Sequence, residues 1–277
     1  MSQKVWFITG SSSGFGRMLV DELLLRDQLV VATARRTASL EFLRQGYCDQ
    51  ILLPTLDVTD PGQCETAVRM AIHTFGRIDV LINNAGFGAY GSIEEVPMEV
   101  VRQQFETNYF GVLNVLKEVL PVMRDQRSGT ILNISSIAGW MSFAGSGTYG
   151  ASKFALEGMS ESLESELRPL GIRTIIVEPG SFQTNFYGHN YRRIANEIED
   201  YADTAGKTLE FFDSWDGNQP GDAQKAVNAM IDIAEHPNPP LRLLLGSDAY
   251  DRALADLDSV RQNFTEWEAI SRSVDKS

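Results

Sequence analysis

The chain has 277 residues, 43% hydrophobic and 22% charged, the balance of a folded globular protein; a disordered or collagen-like chain is excluded. A formal charge of −13 repels phosphate backbones and anionic lipid, so neither nucleic-acid binding nor docking on an acidic membrane is expected. No apolar run reaches the ~18 residues of a membrane helix, and the two cysteines, Cys48 and Cys64, have neither the density of a disulfide scaffold nor the spacing of a metal site.

The N-terminus runs into a strand at Val5–Thr9 with no basic-then-apolar leader, so an intracellular, cytoplasmic setting is expected. Further strands are predicted at Leu29–Thr33, Ile51–Leu56, Val80–Ile82, Thr130–Ile134, Thr174–Val177 and Leu241–Leu245. Most are continuous Val/Ile/Leu runs, the pattern of strands buried on both faces of a parallel sheet. Helical stretches alternate with them near 14–26, 37–46, 61–75, 97–126, 147–170 and 221–235. This alternation predicts a doubly wound α/β sheet, read as one domain over 1–277. Two regions break the rhythm. Residues 181–219 form an aromatic-rich insertion in which Ile194, Ile198, Tyr201, Ala205, Leu209 and Phe212 recur at spacings of three and four, predicting an amphipathic helix. Residues 247–277 form an acidic extension with helical spacing at Leu254, Leu257, Val260 and Phe264.

The first strand leads into Thr9-Gly10-Ser11-Ser12-Ser13-Gly14-Phe15-Gly16 and then a helix. A sharp strand-to-helix turn needs residues without a Cβ, and glycines let the backbone approach a pyrophosphate seated on the positive helix N-terminus. The same residues fit Gly-x-Ser-x-Gly, the nucleophile elbow of hydrolases. That reading needs a later acid and a histidine in chain order. Of His73, His189 and His236, the last follows the last predicted helix and could serve.

The second strand ends at Ala34-Arg35-Arg36, where a dinucleotide-binding fold faces the adenosine ribose. A carboxylate there would read a ribose 2′-hydroxyl; its absence, with two arginines, points to a 2′-phosphate and hence to NADP(H). Asp57-Val58 and Asn83-Asn84-Ala85-Gly86 follow the third and fourth strands, at the sheet edge where ligands bind. Asp57 suits an adenine amino group and Val58 the ring face; read blandly, both segments are ordinary turns. The fifth strand ends at Ser135-Ser136, and thirteen residues after Ser136 comes Tyr149-Gly150-Ala151-Ser152-Lys153. Tyrosine and lysine at i and i+4 share a helix face. The ammonium favours phenolate, drawing the tyrosine from ~10 toward the range of a general acid/base. A strand-end serine can hold the same substrate oxygen.

Taken together, TGSSSGFG, NNAG, the strand-end serine, YGASK and Pro179-Gly180 resemble the short-chain dehydrogenase/reductase family, in the family's order, from about Lys4 to Gly246. The resemblance implies a Rossmann fold with seven parallel strands in the order 3-2-1-4-5-6-7. It implies that Tyr149 exchanges a proton with the substrate oxygen, that Ser136 holds that oxygen, and that Lys153 binds the nicotinamide ribose and tunes Tyr149. Asn108, in Thr107-Asn108-Tyr109, matches the helix asparagine that holds a relay water. Cofactor contacts are then expected from Gly10, Ser12, Ser13, Gly14, Phe15, Gly16, Arg35, Arg36, Asp57, Val58, Asn83, Ala85, Gly86, Tyr149, Lys153, Pro179, Gly180 and Thr184. Substrate contacts are expected from Trp140, Met141, Phe143, Phe182, Phe186 and Tyr187. The segment Asn238–Gly246 is similar, less specifically, to the branch holding retinol and 17β-hydroxysteroid dehydrogenases. The expected activity is NADP(H)-dependent interconversion of a carbonyl and an alcohol, on a bulky apolar small-molecule substrate, by a homodimer or homotetramer. The alternative is a catalytically silent NADP-sensing protein that binds partners. An epimerase-type relative would need a larger C-terminal substrate domain than the residues after Leu245 supply.

Overall fold

The computed structural model describes residues 3–184, 190–195, 197–215 and 217–275. Among these, seven parallel strands form the main sheet: β1 (Val5–Ile8), β2 (Leu29–Ala32), β3 (Ile51–Leu52), β4 (Val80–Asn83), β5 (Gly129–Ile134), β6 (Ile172–Pro179) and β7 (Arg242–Leu245). Their order is β3-β2-β1-β4-β5-β6-β7, as expected from the resemblance. Alternation along β1 shows why these strands read as unbroken apolar runs. Trp6 and Ile8 point into a core built with the Gly14–Leu25 and Ala223–Ala234 helices. Val5 and Phe7 point to the other face, against the Pro61–Phe75, Gly111–Gln126 and Gly147–Leu167 helices. Side chains alternate faces along a strand, and here both faces are covered.

Several expectations are modified. β3 pairs over only two residues, because Pro54 lacks the N–H that a longer ladder needs; beyond it a single bridge joins Ala34 to Thr55. The helix expected over 37–46 resolves into two 3₁₀ turns, Thr37–Ser39 and Glu41–Leu43, and one short helix, Arg44–Tyr47. The long helix expected over 97–126 is divided by a π turn at Glu106–Phe110. In the insertion, Tyr191–Arg193 instead forms a strand beside Gly88–Tyr90, and the amphipathic helix begins only at Lys207 and ends at Trp215. Ile194 belongs to the strand end, where it sits too close to Gly91 for a Cβ there.

The extension is helical over Ser247–Glu266. Its packing seam is Ala249 and Ala253 against Ile137, while Leu254, Leu257, Val260 and Phe264 are exposed. None of the helices among the described residues is long and apolar enough to cross a membrane.

Candidate active site

A cleft of about 730 Å³ runs along the C-terminal ends of the central strands. At its β1 end, Gly10 has φ +68°, and a Cβ there would lie 2.8 Å from the Ala85 Cα. The turn therefore requires glycine twice over, for its dihedral and for the close approach of the β4 loop. Gly14 also has φ +54° and opens the Gly14–Leu25 helix. Ser13, its N-cap, makes no side-chain cap bond, so the first-turn N–H groups are left for an anion. Gly10, Ser12, Ser13, Gly14 and Phe15 line the cleft, and Thr184 lies across from Gly14. Gly16 does not line it; it packs beneath the turn against the Gly10 carbonyl and the Asn84 side chain.

Asn84 carries a role that motif reading had not separated from its neighbours. Its Nδ2 donates to the carbonyls of Thr9 (2.9 Å) and Gly10 (3.0 Å), while its own N–H donates to Thr9 Oγ1 (3.0 Å). The two loops are thus pinned together. The expectation for Asn83 needs correction. Its side chain turns into the core, donating to Asn133 Oδ1 at 2.8 Å, and it is Asn84, with Ala85 and Gly86, that lines the cleft. The signal was present in strand alternation, since β4 ends at Asn83 and the next residue faces the other way.

At the end of the cleft beyond β2 and β3, Ala34, Arg35, Asp57 and Val58 line it, whereas Arg36 is exposed and does not. Asp57 Oδ1 is engaged by the Thr59 N–H (3.0 Å) and hydroxyl (2.8 Å). Pro179, Gly180 and Phe182 line the opposite wall, and the Phe182 ring meets Phe15 edge-on at 5.5 Å. This places Phe182 beside the glycine turn, away from the tyrosine.

Ser136, Tyr149 and Lys153 converge on the middle of the cleft. Ser136 caps the Ile137–Trp140 helix by accepting from the Ala138 N–H at 3.1 Å. Tyr149 is buried on the first turn of the Gly147–Leu167 helix, and the Lys153 Nζ lies 5.9 Å from its ring centre. Lys153 donates to the Ile134 carbonyl at 2.8 Å. Burial lowers Lys153 from its usual range to about 8, opposed by the negative charge of Glu157.

Asn108 sits in the π turn, 1% exposed. Its Nδ2 donates to the Phe87 carbonyl (2.9 Å) and to Ser152 Oγ (3.0 Å), and its Oδ1 accepts from the Phe87 N–H (3.0 Å). Both amide hydrogens are committed, so toward a relay water Asn108 can only accept. The π turn, a common device at functional sites, had no signal in the spacing of apolar residues.

Beyond Tyr149 the cleft is aromatic. Tyr90 lies 5.2 Å from the Tyr149 ring and 5.3 Å from Phe212, and Phe143 lies 5.8 Å from Phe212. Of the expected substrate contacts, Phe143 and Phe182 line the cleft, and Tyr90 and Phe212 join them. Trp140 and Met141 do not. They pack with Ile137 against Ala249 and Ala253 of the extension, because the Ile137–Trp140 helix turns them to the far side of the strand end. Phe186 and Tyr187 lie outside the described residues.

A glycine-lined anion seat joined to a half-buried serine and a buried tyrosine and lysine is matched in sequence as well. A profile of the short chain dehydrogenases matches residues 4–193. The protein belongs to the short-chain dehydrogenase/reductase family. The crystal structure of a short-chain dehydrogenase from Streptomyces avermitilis is 42% identical, covers 99% of this chain and 100% of its own, and superposes with a TM-score of 0.93. A 3-ketodihydrosphingosine reductase of Bacteroides thetaiotaomicron is 38% identical over 247 residues, 89% of each chain. ElxO, solved with NADP bound, is 26% identical with a TM-score of 0.74, over 90% of this chain and 100% of that one. The chain is therefore an oxidoreductase of this family with a nicotinamide-dinucleotide fold.

Proposed function

We propose that the protein interconverts a ketone or aldehyde and an alcohol with NADP(H), on a bulky and mostly apolar substrate. The observation that carries this reading is the meeting of Ser136, Tyr149 and Lys153 in one cleft with the glycine turn. When bound, the dinucleotide supplies or accepts the hydride. Gly10 to Phe15 and Thr184 would hold its phosphates, Asp57 and Val58 its adenine, and Lys153 its ribose. In the reductive direction Tyr149 gives its proton to the substrate oxygen, which Ser136 steadies by a hydrogen bond. In the oxidative direction Tyr149 takes that proton. Lys153, as an ammonium, favours the phenolate form of Tyr149 in either direction. Asn108 ties the Gly86–Phe87 backbone to the catalytic helix through Ser152, and its Oδ1 would be the atom that accepts from a water on the proton path.

NADP(H) is favoured over NAD(H) by Arg35 at the cleft and by Ala34, which presents no carboxylate to a 2′-phosphate. Substrate size is favoured by the aromatic wall of Tyr90, Phe143 and Phe212. The name of the Bacteroides relative, 3-ketodihydrosphingosine reductase, points the same way. The test is a panel of aromatic, steroid and long-chain ketones beside small hydroxy acids, each assayed with both cofactors. Turnover of bulky ketones with NADPH is expected. A preference for small charged substrates would reject the substrate class, and a preference for NADH would reject the cofactor.

A further inference from the structure

One helical turn beyond Lys153 stands Glu157, 3% exposed and absent from the cleft wall. Both of its carboxylate oxygens are used. Oε1 accepts from Ser135 Oγ at 2.5 Å, and Oε2 accepts from Arg242 Nη1 at 2.6 Å. Ser135 directly precedes Ser136, and Arg242 opens β7. The same Nη1 donates to Glu178 of β6, which is 1% exposed, and Nη2 donates to Glu161 at 2.7 Å. The guanidinium lies 4.8 Å over the Trp140 ring. A Cβ on Gly139 would collide with Glu157 and with Ser135 Oγ, so the short helix after Ser136 is pressed onto this cluster. Buried charges are costly unless paired, and the sequence commits the buried Glu157 and Glu178, together with the part-buried Arg242 and the exposed Glu161, to this position.

We propose that Glu157 is a positioning residue of the reaction: bonded to Ser135 and Arg242, it fixes the strand end carrying Ser136 and supplies the buried negative charge that balances the Lys153 ammonium. The proposal rests on the reading of Lys153 as the partner of Tyr149. The charged groups facing Glu157 are Lys153 and Glu161 from its own helix, Arg242 from β7 and Glu178 from β6. Burial drives Lys153 down to about 8, and Glu157 is the charge that resists this. Glu178 is pushed up to about 7, by burial first and then by Glu157, against the pull of Arg242. A proton is therefore held by Glu178 near neutral pH, and its release deepens the negative charge behind Lys153. Without the Glu157 charge, Lys153 loses its proton at lower pH, and Tyr149 loses the cation that tunes it.

The test compares Glu157→Gln and Glu157→Asp by the pH dependence of kcat/KM and of NADPH binding to the apoprotein. The wild-type alkaline limb is expected at about 8, the Lys153 value. Glu157→Gln should move it down by about one pH unit, and Glu157→Asp, which keeps the charge, should return it toward wild type. A folded Glu157→Gln protein with an unmoved limb overturns the proposal. A second measurement uses the wild type, so it stands even if the variants fail to fold. The chain has only six lysines, and the ¹³Cε signal of Lys153 can be followed by NMR. It should titrate near 8 with an additional inflection near 7 as Glu178 ionises. A Lys153 signal without that inflection overturns the proposal. Because this titration needs no turnover, a coupled Lys153 in a protein inactive on every carbonyl would count against the catalytic reading and leave the coupling standing.

Discussion

Arg35 and Glu178 show how single charges set measurable behaviour. Arg35 lies on the cleft wall and is exposed, with planar paired donors suited to a phosphate. A hydrogen bond to a charged group is worth ~1.5–3 kcal/mol, and solvent exposure keeps this one near the lower end. Arg35→Ala should raise the KM for NADPH about tenfold and leave that for NADH nearly unchanged, with the difference shrinking at high salt. Equal losses with both cofactors would assign Arg35 to structure. Glu178 acts on stability. Its proton is held in the fold up to about 7, well above the usual carboxylate range, through burial first and the Glu157 charge second. A raised carboxyl contributes stability that is complete below its unfolded value and is lost as pH rises through its folded value. Thermal unfolding should therefore occur at lower temperature at about pH 8 than at about pH 6. Glu178→Gln, the neutral isostere that can still accept from Arg242, should lose less over that window. An identical loss in the variant would contradict the assignment.

Between residues and fold lie the elements, and here sequence legibility was uneven. The strands of the central sheet could be read because their apolar runs need cover on both faces, and the glycine turn because strand and helix must meet within a few residues. Ser136, Tyr149 and Lys153 were legible because their spacing places them at one strand end and on one helix face. The pairing of Gly88–Tyr90 with Tyr191–Arg193 was not, since three residues carry no period and their partners are about a hundred positions apart. The π turn was hidden because the apolar stripe continues on both sides of it. Trp140 and Met141 were misjudged because aromatic density does not reveal which way a four-residue helix turns its side chains. Asn84 was read only as part of a motif, yet it pins two loops by three hydrogen bonds, from its Nδ2 to the carbonyls of Thr9 and Gly10 and from its N–H to Thr9 Oγ1. Asn84→Ala leaves both carbonyls short of a donor and should cost about 1–3 kcal/mol in urea unfolding, together with weaker cofactor binding. A loss of stability with cofactor affinity intact would separate the loop contact from the site.

At the scale of the whole molecule, the sheet gathers at one edge groups that are far apart in the chain. Gly10, Asn84, Ser136 and Pro179 follow or end four successive strands of the spatial order, and the cleft runs past all of them. Against a net charge of −13, the cleft lining is net positive: Arg35, Arg102, Lys153, Arg192 and Arg252 outweigh Asp57 and Glu106. An acidic protein thus presents cations where an anionic dinucleotide would enter. Arg192 stands 4.2 Å over the Phe87 ring and donates to Gln103 Oε1 at 3.0 Å, linking the insertion to the residue that Asn108 holds. The extension packs on the strand end through Ala249 and Ala253 and reaches the cleft itself, where Arg252 joins the lining and Asp248 accepts from the Ser181 N–H at 2.9 Å.

The most direct measurement is NADPH oxidation with a bulky ketone by the wild type and Tyr149→Phe, with cofactor binding followed in parallel. The substitution keeps the ring and its contacts with Tyr90 and removes only the hydroxyl. Turnover should fall by at least the ~10²–10⁴-fold typical of a lost general acid, with NADPH affinity largely retained. Activity within about threefold of wild type would contradict the role of Tyr149, since an effect that small is well below what general acid catalysis contributes.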